Sequence, residues 1–83
     1  MKELELVRVI ILAEGEYYLV DEELILTDHQ EATEYAKRGA RVEVGHQISS
    51  DIQEFENFYF YKNELWDKDD YILSHDNDIV ERA

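Results

Sequence analysis

Residues 27–39, TDHQEATEYAKRG, are the only stretch of the chain whose start, body and end all predict the same structure. Thr27 and Gln30 have the spacing of a capping box, in which each side chain accepts a backbone N–H group of the first turn. Gly39 can adopt the left-handed conformation that ends a helix. The sequence therefore predicts a helix over residues 28–38.

The body of this predicted helix has one narrow apolar side. At about 100° per residue, Ala32, Tyr35 and Ala36 fall on one stripe, whereas Glu31 and Glu34 fall on the opposite, charged side. A helix of this length spans about 16 Å and is too short to be stable alone. We therefore expect it to lie with its two alanines against a flat neighbour, which must be a sheet.

Short apolar runs on the N-terminal side of the helix predict β-strands. Residues 4–13, LELVRVIILA, are followed by a polar turn and by the apolar residues 17–20, which together predict an N-terminal hairpin. The first of these strands is apolar on both faces, so we expect it to be central in the sheet. Residues 24–26 add a third short strand that leads directly into the helix.

The second half of the chain is less regular. Residues 40–44 alternate apolar and charged side chains, which predicts a strand with Val42 and Val44 facing inward. Residues 51–61 have the side-chain spacing of a helix in their first part and the composition of a strand in their last part. We favour one or two helical turns to about Asn57, followed by a strand.

These elements predict one acidic α+β domain over residues 1–83. It has a small, mostly antiparallel sheet of four to six strands, begun by the hairpin, with the helix packed on one face. A chain of 83 residues is long enough for one modest core and too short for two domains. We expect the last ten residues to fray, as chain ends often do.

The charge balance is the most extreme feature of the composition. The chain has 21 acidic and 8 basic residues, a formal net charge of −13. This excess opposes direct binding to nucleic acid or to anionic membranes, because that affinity comes from cations on the protein. The apolar runs are also far shorter than the ~20 residues of a membrane helix. The acidity therefore either serves solubility alone or indicates a basic protein surface as the partner.

The sequence offers little for catalysis or for a cofactor. It has no cysteine, which excludes disulfides and thiolate metal sites and favours a cytoplasmic location. Its serines lie in no nucleophile elbow, and its glycines form no phosphate-binding loop. The acidic run Asp67, Asp69 and Asp70 departs from the EF-hand pattern, and the histidines lack the spacing of a zinc site. We predict no enzyme, no cofactor and no metal site, with weak divalent-cation binding as an alternative.

Aromatic and acidic residues coincide in the second half of the chain. Seven of the ten aromatic residues lie between positions 55 and 71, interspersed with carboxylates. In one interpretation the phenylalanines complete the core and the tyrosines cover its rim. In the other, exposed aromatic anchors surrounded by polar groups bind a partner, as is typical of protein interfaces. The predicted partner-binding residues are Tyr59, Tyr61, Trp66, Asp67, Asp69, Asp70, Glu31 and Glu34.

The function predicted from these features is that of a small acidic protein-interaction module. It would be a regulator or inhibitor that binds a basic surface of a partner protein, such as a surface that otherwise binds nucleic acid. The composition is similar to that of acidic inhibitors that imitate nucleic acid, although no motif carries the analogy. The alternative is a structural or homodimerising domain, in which an unpaired strand over residues 40–44 joins a second copy.

Overall fold

A computed structural model describes residues 11–83 of the chain. Within this range the chain forms eight strands and one helix, so the predicted α+β class is confirmed. In chain order these elements are β1 (Tyr17–Val20), β2 (Leu24–Leu26), α1 (His29–Lys37), β3 (Val42–Gln47), β4 (Ile52–Glu54), β5 (Phe58–Tyr61), β6 (Glu64–Asp67), β7 (Tyr71–Leu73) and β8 (Ile79–Glu81).

Six strands form one curled antiparallel sheet in the order β2-β1-β3-β4-β5-β6. Because β1 pairs antiparallel with both β2 and β3, the last two run parallel, and α1 connects them across one face of the sheet. The strands from β3 to β6 follow as an antiparallel meander. β7 and β8 form a separate two-stranded ladder. A mostly antiparallel sheet with one helix on it agrees with the prediction.

The hairpin that begins the sheet is not the one we predicted. Residues 4–10 of the predicted first strand lie outside the described residues, and residues 11–15 form no strand. Tyr17–Val20 pairs instead with β2 on one side and with β3 on the other. The predicted strand Leu24–Leu26 is confirmed and supplies the second arm of the hairpin. β1 is therefore the central strand of this half of the sheet.

α1 begins one residue later than predicted, and a different side chain caps it. The Asp28 carboxylate accepts the N–H groups of Gln30 at 2.9 Å and Glu31 at 3.4 Å. Thr27, the predicted cap, is exposed. Aspartate caps at least as well as threonine, and its charge also complements the positive end of the helix dipole. The cap and the start of the helix therefore lie one residue further along the chain than predicted.

The C-terminal end of α1 follows the prediction. Gly39 has a φ of +93°. Its N–H donates to the carbonyl of Ala36 at 3.0 Å, and the N–H of Ala40 donates to the carbonyl of Tyr35 at 3.1 Å. This pair of hydrogen bonds is a Schellman motif, which satisfies the carbonyls left free in the last turn.

The predicted apolar stripe of α1 faces the sheet. Ala32 is completely buried and Ala36 is half-buried, so the helix packs closely on β1, β2 and β3. His29 lies at the edge of this contact, with its ring edge-on to Tyr18 at 5.7 Å between centroids. Its Nε2 is 2.7 Å from the carbonyl oxygen of Leu12. His29 is therefore part of the packing between helix and sheet.

The two faces of β3 differ from the predicted inward and outward faces. Val42 and Val44 pair with Val20 and Tyr18, and the Tyr18 ring contacts His29 of α1, so we call this side of the sheet the helix face. The opposite face was expected to be in water, yet Glu43 on it is only 5% exposed. A Glu43 carboxylate oxygen accepts the N–H of Asn57 at 2.8 Å, which compensates part of the cost of burying it. Both faces of β3 are therefore covered.

The predicted helical turns before residue 57 are wrong. Ile52–Glu54 is β4, with hydrogen-bonded neighbours on both sides, and these ladders outweigh a weak local preference for helix. The N–H of Phe55 donates to the carbonyl of Phe58 at 2.8 Å and closes a turn over the intervening residues. The strand predicted after this turn is confirmed as Phe58–Tyr61.

Two further expectations are revised by the strand pairing. Residues 40–44 were predicted to be an unpaired strand that could join a second copy, but β3 lies between β1 and β4. Residues 42–44 are therefore not an unpaired strand, because they pair with β1, and homodimerisation stays a prediction. The last ten residues, which we expected to fray, contain β8, and this strand pairs with β7 in register from Tyr71 opposite Glu81.

We predict that Asp28→Ala lowers the free energy of unfolding by about 0.5–2 kcal/mol, because it removes the acceptor of two N–H groups at the helix start. Thr27→Ala is the matched control, since it removes the neighbouring predicted cap, and it should stay within about 0.5 kcal/mol of the parent. Urea unfolding followed by circular dichroism measures both. A larger loss for Thr27→Ala than for Asp28→Ala would contradict this assignment of the cap.

Candidate functional site

The structure brings three predicted aromatic residues together. Tyr59 lies directly opposite Trp66 across β5 and β6, and Tyr61 lies two residues further along the same face. All three are half-buried. They lie on the continuation of the helix face, beyond the part that α1 covers. We call Tyr59, Tyr61 and Trp66 the aromatic cluster.

The C-terminal hairpin of the chain, formed by β7 and β8, occupies part of this cluster. Trp66 meets the Tyr71 ring edge-on at 4.9 Å, and its Nε1 donates to the carbonyl of Tyr61 at 2.9 Å. The Tyr61 hydroxyl donates to the Asp78 carboxylate at 2.8 Å. Two of the predicted anchors are thus held within the chain. The two short apolar runs of β7 and β8, separated by the polar residues 74–78, are the signal that could have predicted this hairpin.

The third member of the cluster, Tyr59, lies beside the partly buried ion pair between Lys68 and Glu54. Lys68 donates to the Glu54 carboxylate at 2.7 Å, and its Nζ lies 4.9 Å from the centre of the Tyr59 ring. A cation over an aromatic face and a hydrogen-bonded carboxylate both stabilise this position of the ammonium group. Lys68 is therefore directed toward the aromatic cluster.

The three predicted aspartates lie on the turn between β6 and β7, and we call Asp67, Asp69 and Asp70 the acidic turn. Asp67 accepts the N–H of Asp69 at 2.9 Å, which fixes the turn, while Asp69 and Asp70 are exposed. Lys68 is bound elsewhere, and Arg82 donates through its Nε to the carbonyl of Lys68 at 2.9 Å. Within residues 11–83, no cationic side chain forms an ion pair with the acidic turn.

The two predicted acids of the helix lie at the other end of the sheet. Glu31 and Glu34 are exposed on α1, which packs on β1 to β3, whereas the acidic turn follows the edge strand β6. Glu34 forms an ion pair with Lys37 at 3.6 Å. The eight predicted residues therefore form two separate groups. Among the described residues, no three acidic or histidine side chains are arranged to hold a metal ion.

Sequence reasoning missed a depression of about 270 Å³ on the face of the sheet opposite α1. Its floor is a row of side chains on neighbouring strands, because Gln47 of β3 pairs with Gln53 of β4, which pairs with Phe60 of β5. Cross-strand neighbours of this kind lie about 5 Å apart on one face. We call this cavity the polar depression.

Two hairpin loops form the rim of the polar depression. The loop between β3 and β4 contributes Ser50 and Asp51, and the turn between β5 and β6 contributes Lys62 and Asn63. In an antiparallel meander, alternate loops lie at the same end of the sheet, so these two meet. Lys62 and Asn63 have φ values of 50° and 61°, the left-handed geometry of a tight two-residue hairpin.

The polar groups of the depression differ in what they already bind. The Gln47 amide accepts from the Tyr17 hydroxyl at 2.9 Å and donates to the carbonyl of Ser49 at 2.6 Å, so it holds the loop. Within the described part of the chain, the side chains of Asp51, Gln53 and Asn63 make no hydrogen bond or ion pair. These three groups are therefore available to a ligand. Only the strand register brings them together, and the sequence carries no motif for them.

Comparisons with protein-family models, with curated proteins and with solved structures gave no significant match to this chain. The fold belongs to the α+β class, with a curled antiparallel sheet and one packed helix. Among residues 11–83, no helix has the length and apolar character needed to cross a membrane.

Tyr61 provides a pH-dependent report on the contact between the sheet and the C-terminal hairpin. Its pKa is raised above the ordinary value of 10.0, first by the hydrogen bond to Asp78, then by partial removal from water and by the charges of Asp78 and Asp51. Because folding raises this pKa, the contribution to stability is complete below pH 10.0 and is lost as the pH rises through the folded value.

We predict that Asp78→Asn lowers the pKa of Tyr61 toward its ordinary value, because it removes the charged acceptor. The near-ultraviolet absorbance of tyrosinate measures this, with Tyr61→Phe identifying the signal among the six tyrosines. Asp76→Asn makes the same charge change in the same turn without touching the hydrogen bond, and should leave the pKa of Tyr61 nearly unchanged. An unaltered titration in Asp78→Asn would show that the contact is not formed.

Proposed function

We propose that this chain is a small acidic protein-interaction module that binds a basic surface of a partner protein, as a regulator or inhibitor. The observation that supports this most is the state of the acidic turn. Its carboxylates have no ion-pair partner within residues 11–83, although Lys68 is in the turn itself and Arg82 contacts its backbone. Lys68 is bound by the Glu54 carboxylate and Arg82 by backbone carbonyls of the turn, so neither cation pairs with the three carboxylates.

It matters that Lys68 does not pair with the aspartates of the acidic turn, because a turn whose charge is neutralised would attract no basic partner. If Lys68 faced the aspartates, it would screen them at contact distance. Lys68 instead donates to Glu54 and lies over the Tyr59 ring, so its positive charge interacts with these two groups. The net charge of −13 adds a long-range field that attracts cations. Glu31 and Glu34 contribute to that field from the opposite end of the sheet.

The aromatic cluster has a different role in this proposal from the one expected from the sequence. Tyr61 and Trp66 contact the C-terminal hairpin through Asp78 and Tyr71, so they are engaged within the chain rather than standing free as anchors. Tyr59 is the member of the cluster that lies against Lys68 of the turn. Binding strength would then come mainly from charge, with fast association and marked salt dependence.

The finer form of the proposal concerns role and location. The partner surface would be one that otherwise binds nucleic acid, with which the module competes, and the site of action would be the cytoplasm. Composition supports both points: the acidity resembles that of a polyanion, and the chain has no cysteine.

To test this function, we replace Asp67, Asp69 and Asp70 together by Asn and measure association with a labelled oligo-arginine peptide by stopped flow. We expect the association rate at low salt to fall about two- to tenfold, as part of the steering effect of the whole field. The dependence of the rate on salt should also become less steep. The Asn side chain keeps the acceptor that Asp67 offers to Asp69, so the turn should persist.

The matched control changes the same charge elsewhere. Replacing Asp21 by Asn and both Glu22 and Glu23 by Gln removes three acids from the turn between β1 and β2, with the hydrogen bond to the Arg41 backbone retained. This variant should slow association less than the acidic-turn variant. Equal effects would mean that only diffuse charge acts, and binding that ignores salt between about 50 and 200 mM would contradict the proposal.

A further inference from the structure

We propose that the polar depression binds an arginine side chain of the basic partner, with the guanidinium group over the Phe60 ring and against the Asp51 carboxylate. This inference rests on the proposed function, which supplies a basic partner, and it adds a specific contact to a general charge attraction. The depression lies at the Lys62 end of β5 and β6, whereas the acidic turn lies at the other end of these strands. The two contacts are therefore separable by mutation.

The size of the depression suits one side chain. Sites for drug-sized ligands and cofactors enclose about 300–1,000 Å³. The depression, at about 270 Å³, falls just below that range and opens on the surface between two loops. It therefore accommodates the end of a long side chain or a single small ring, and it is too small for a nucleotide cofactor.

The free polar groups match a guanidinium group better than an ammonium group. Asp51, Gln53 and Asn63 line the depression from three different elements, and each side chain has an acceptor oxygen. A guanidinium group has five N–H donors in a rigid plane and can reach several acceptors at once, whereas a lysine ammonium acts as a compact point charge. Gln47 does not compete, because its amide is bound on both sides by Tyr17 and Ser49.

The aromatic floor supports the same ligand. Phe60 is half-buried, so part of its ring is exposed within the depression. Planar guanidinium groups stack on aromatic faces, and a cation over an exposed ring gains about 0.5–1 kcal/mol, equivalent to about two- to fivefold in affinity. A planar cation can therefore stack on the Phe60 ring and donate hydrogen bonds to the surrounding acceptors at the same time.

Local charge favours a cation over a neutral or anionic ligand. Lys62 and Tyr61 both line the depression, and the Lys62 Nζ lies 5.2 Å from the centre of the Tyr61 ring, which engages its charge. The Asp51 carboxylate is close enough to contribute to the raised pKa of the Tyr61 hydroxyl. Together with the net charge of −13, this places a negative potential at the rim.

The experiment titrates the full chain with N-acetyl-arginine amide and follows the side-chain NH₂ signals of Gln53 and Asn63 by NMR. N-acetyl-citrulline amide, a neutral isostere, tests whether the positive charge is needed. N-acetyl-lysine amide tests whether the planar guanidinium group is needed, and glucose tests whether a neutral sugar binds. We expect saturable shifts with arginine, weaker binding with lysine, and no shift with citrulline or glucose. Shifts of equal size with citrulline or glucose would overturn the proposal.

Variants then test the contacts. Asp51→Asn should weaken arginine binding about tenfold or more, because it removes the negative charge of the acceptor that faces the guanidinium group, and Phe60→Leu should weaken it about two- to fivefold. Glu56→Gln changes the net charge by the same amount on an exposed residue outside the depression, and should change affinity less than twofold. Equal losses in Asp51→Asn and Glu56→Gln would overturn the site.

The outcomes for the depression and for the proposed function are distinguishable. If arginine amide fails to shift Gln53 and Asn63 while the acidic-turn variant still slows oligo-arginine association, this inference is wrong and the proposed function stands. If arginine amide binds at Asp51 but oligo-arginine association is indifferent to salt and to the acidic turn, the depression is an arginine site and the charge-steered function is wrong.

Discussion

The rest of the structure depends on the close approach of Phe55 to Gly45 in β3. Residues 42–45 of this strand pair with β1, whereas His46 and Gln47 pair with β4. Gly45 stands where the first ladder ends, and a Cβ atom built on it would lie 2.5 Å from two carbons of the Phe55 ring. No side chain fits there without displacement. The missing side chain thus lets Phe55 fill the face opposite α1, where it is only 1% exposed.

This contact joins two halves of the sheet that are covered by different elements. On one side, α1 packs on β1, β2 and β3, where Tyr18 is buried with its ring against His29. On the other, the meander from β4 to β6 has only half-buried side chains in β5, with the C-terminal hairpin against Trp66. The less covered half also carries the acidic turn and the polar depression. The surfaces proposed to bind a partner therefore lie away from the helix-packed core.

Several elements were predictable because their determinants are local. The C-terminal end of α1 follows from Gly39, and the buried stripe follows from the spacing of Ala32 and Ala36. The turn at Lys62 and Asn63 follows from residues between two apolar runs. In each case the residues that determine the local structure are close together in the sequence. The error at the N-terminal end of α1 arose because Thr27 and Asp28 are both good caps.

Other features could not be predicted because they depend on partners distant in sequence. β4 has three residues and becomes a strand through its neighbours on both sides. Glu43 is buried because the N–H of Asn57 reaches it, which alternation along β3 cannot show. Gln47, Gln53 and Phe60 form one floor only once the register is known. The predicted partner-binding residues fall into two groups, because Glu31 and Glu34 are separated from the acidic turn by the width of the sheet.

The most direct test of this account is a double-mutant cycle on the free energy of unfolding with Gly45→Ala and Phe55→Leu, followed by urea denaturation. Gly45→Ala should cost about 1–3 kcal/mol through overpacking. The same change should cost less in the Phe55→Leu background, with a coupling of about 0.5 kcal/mol or more, because the ring atoms it meets are gone. Additive costs, or a Gly45→Ala variant as stable as the parent, would contradict the claim that this contact holds the two halves of the sheet together.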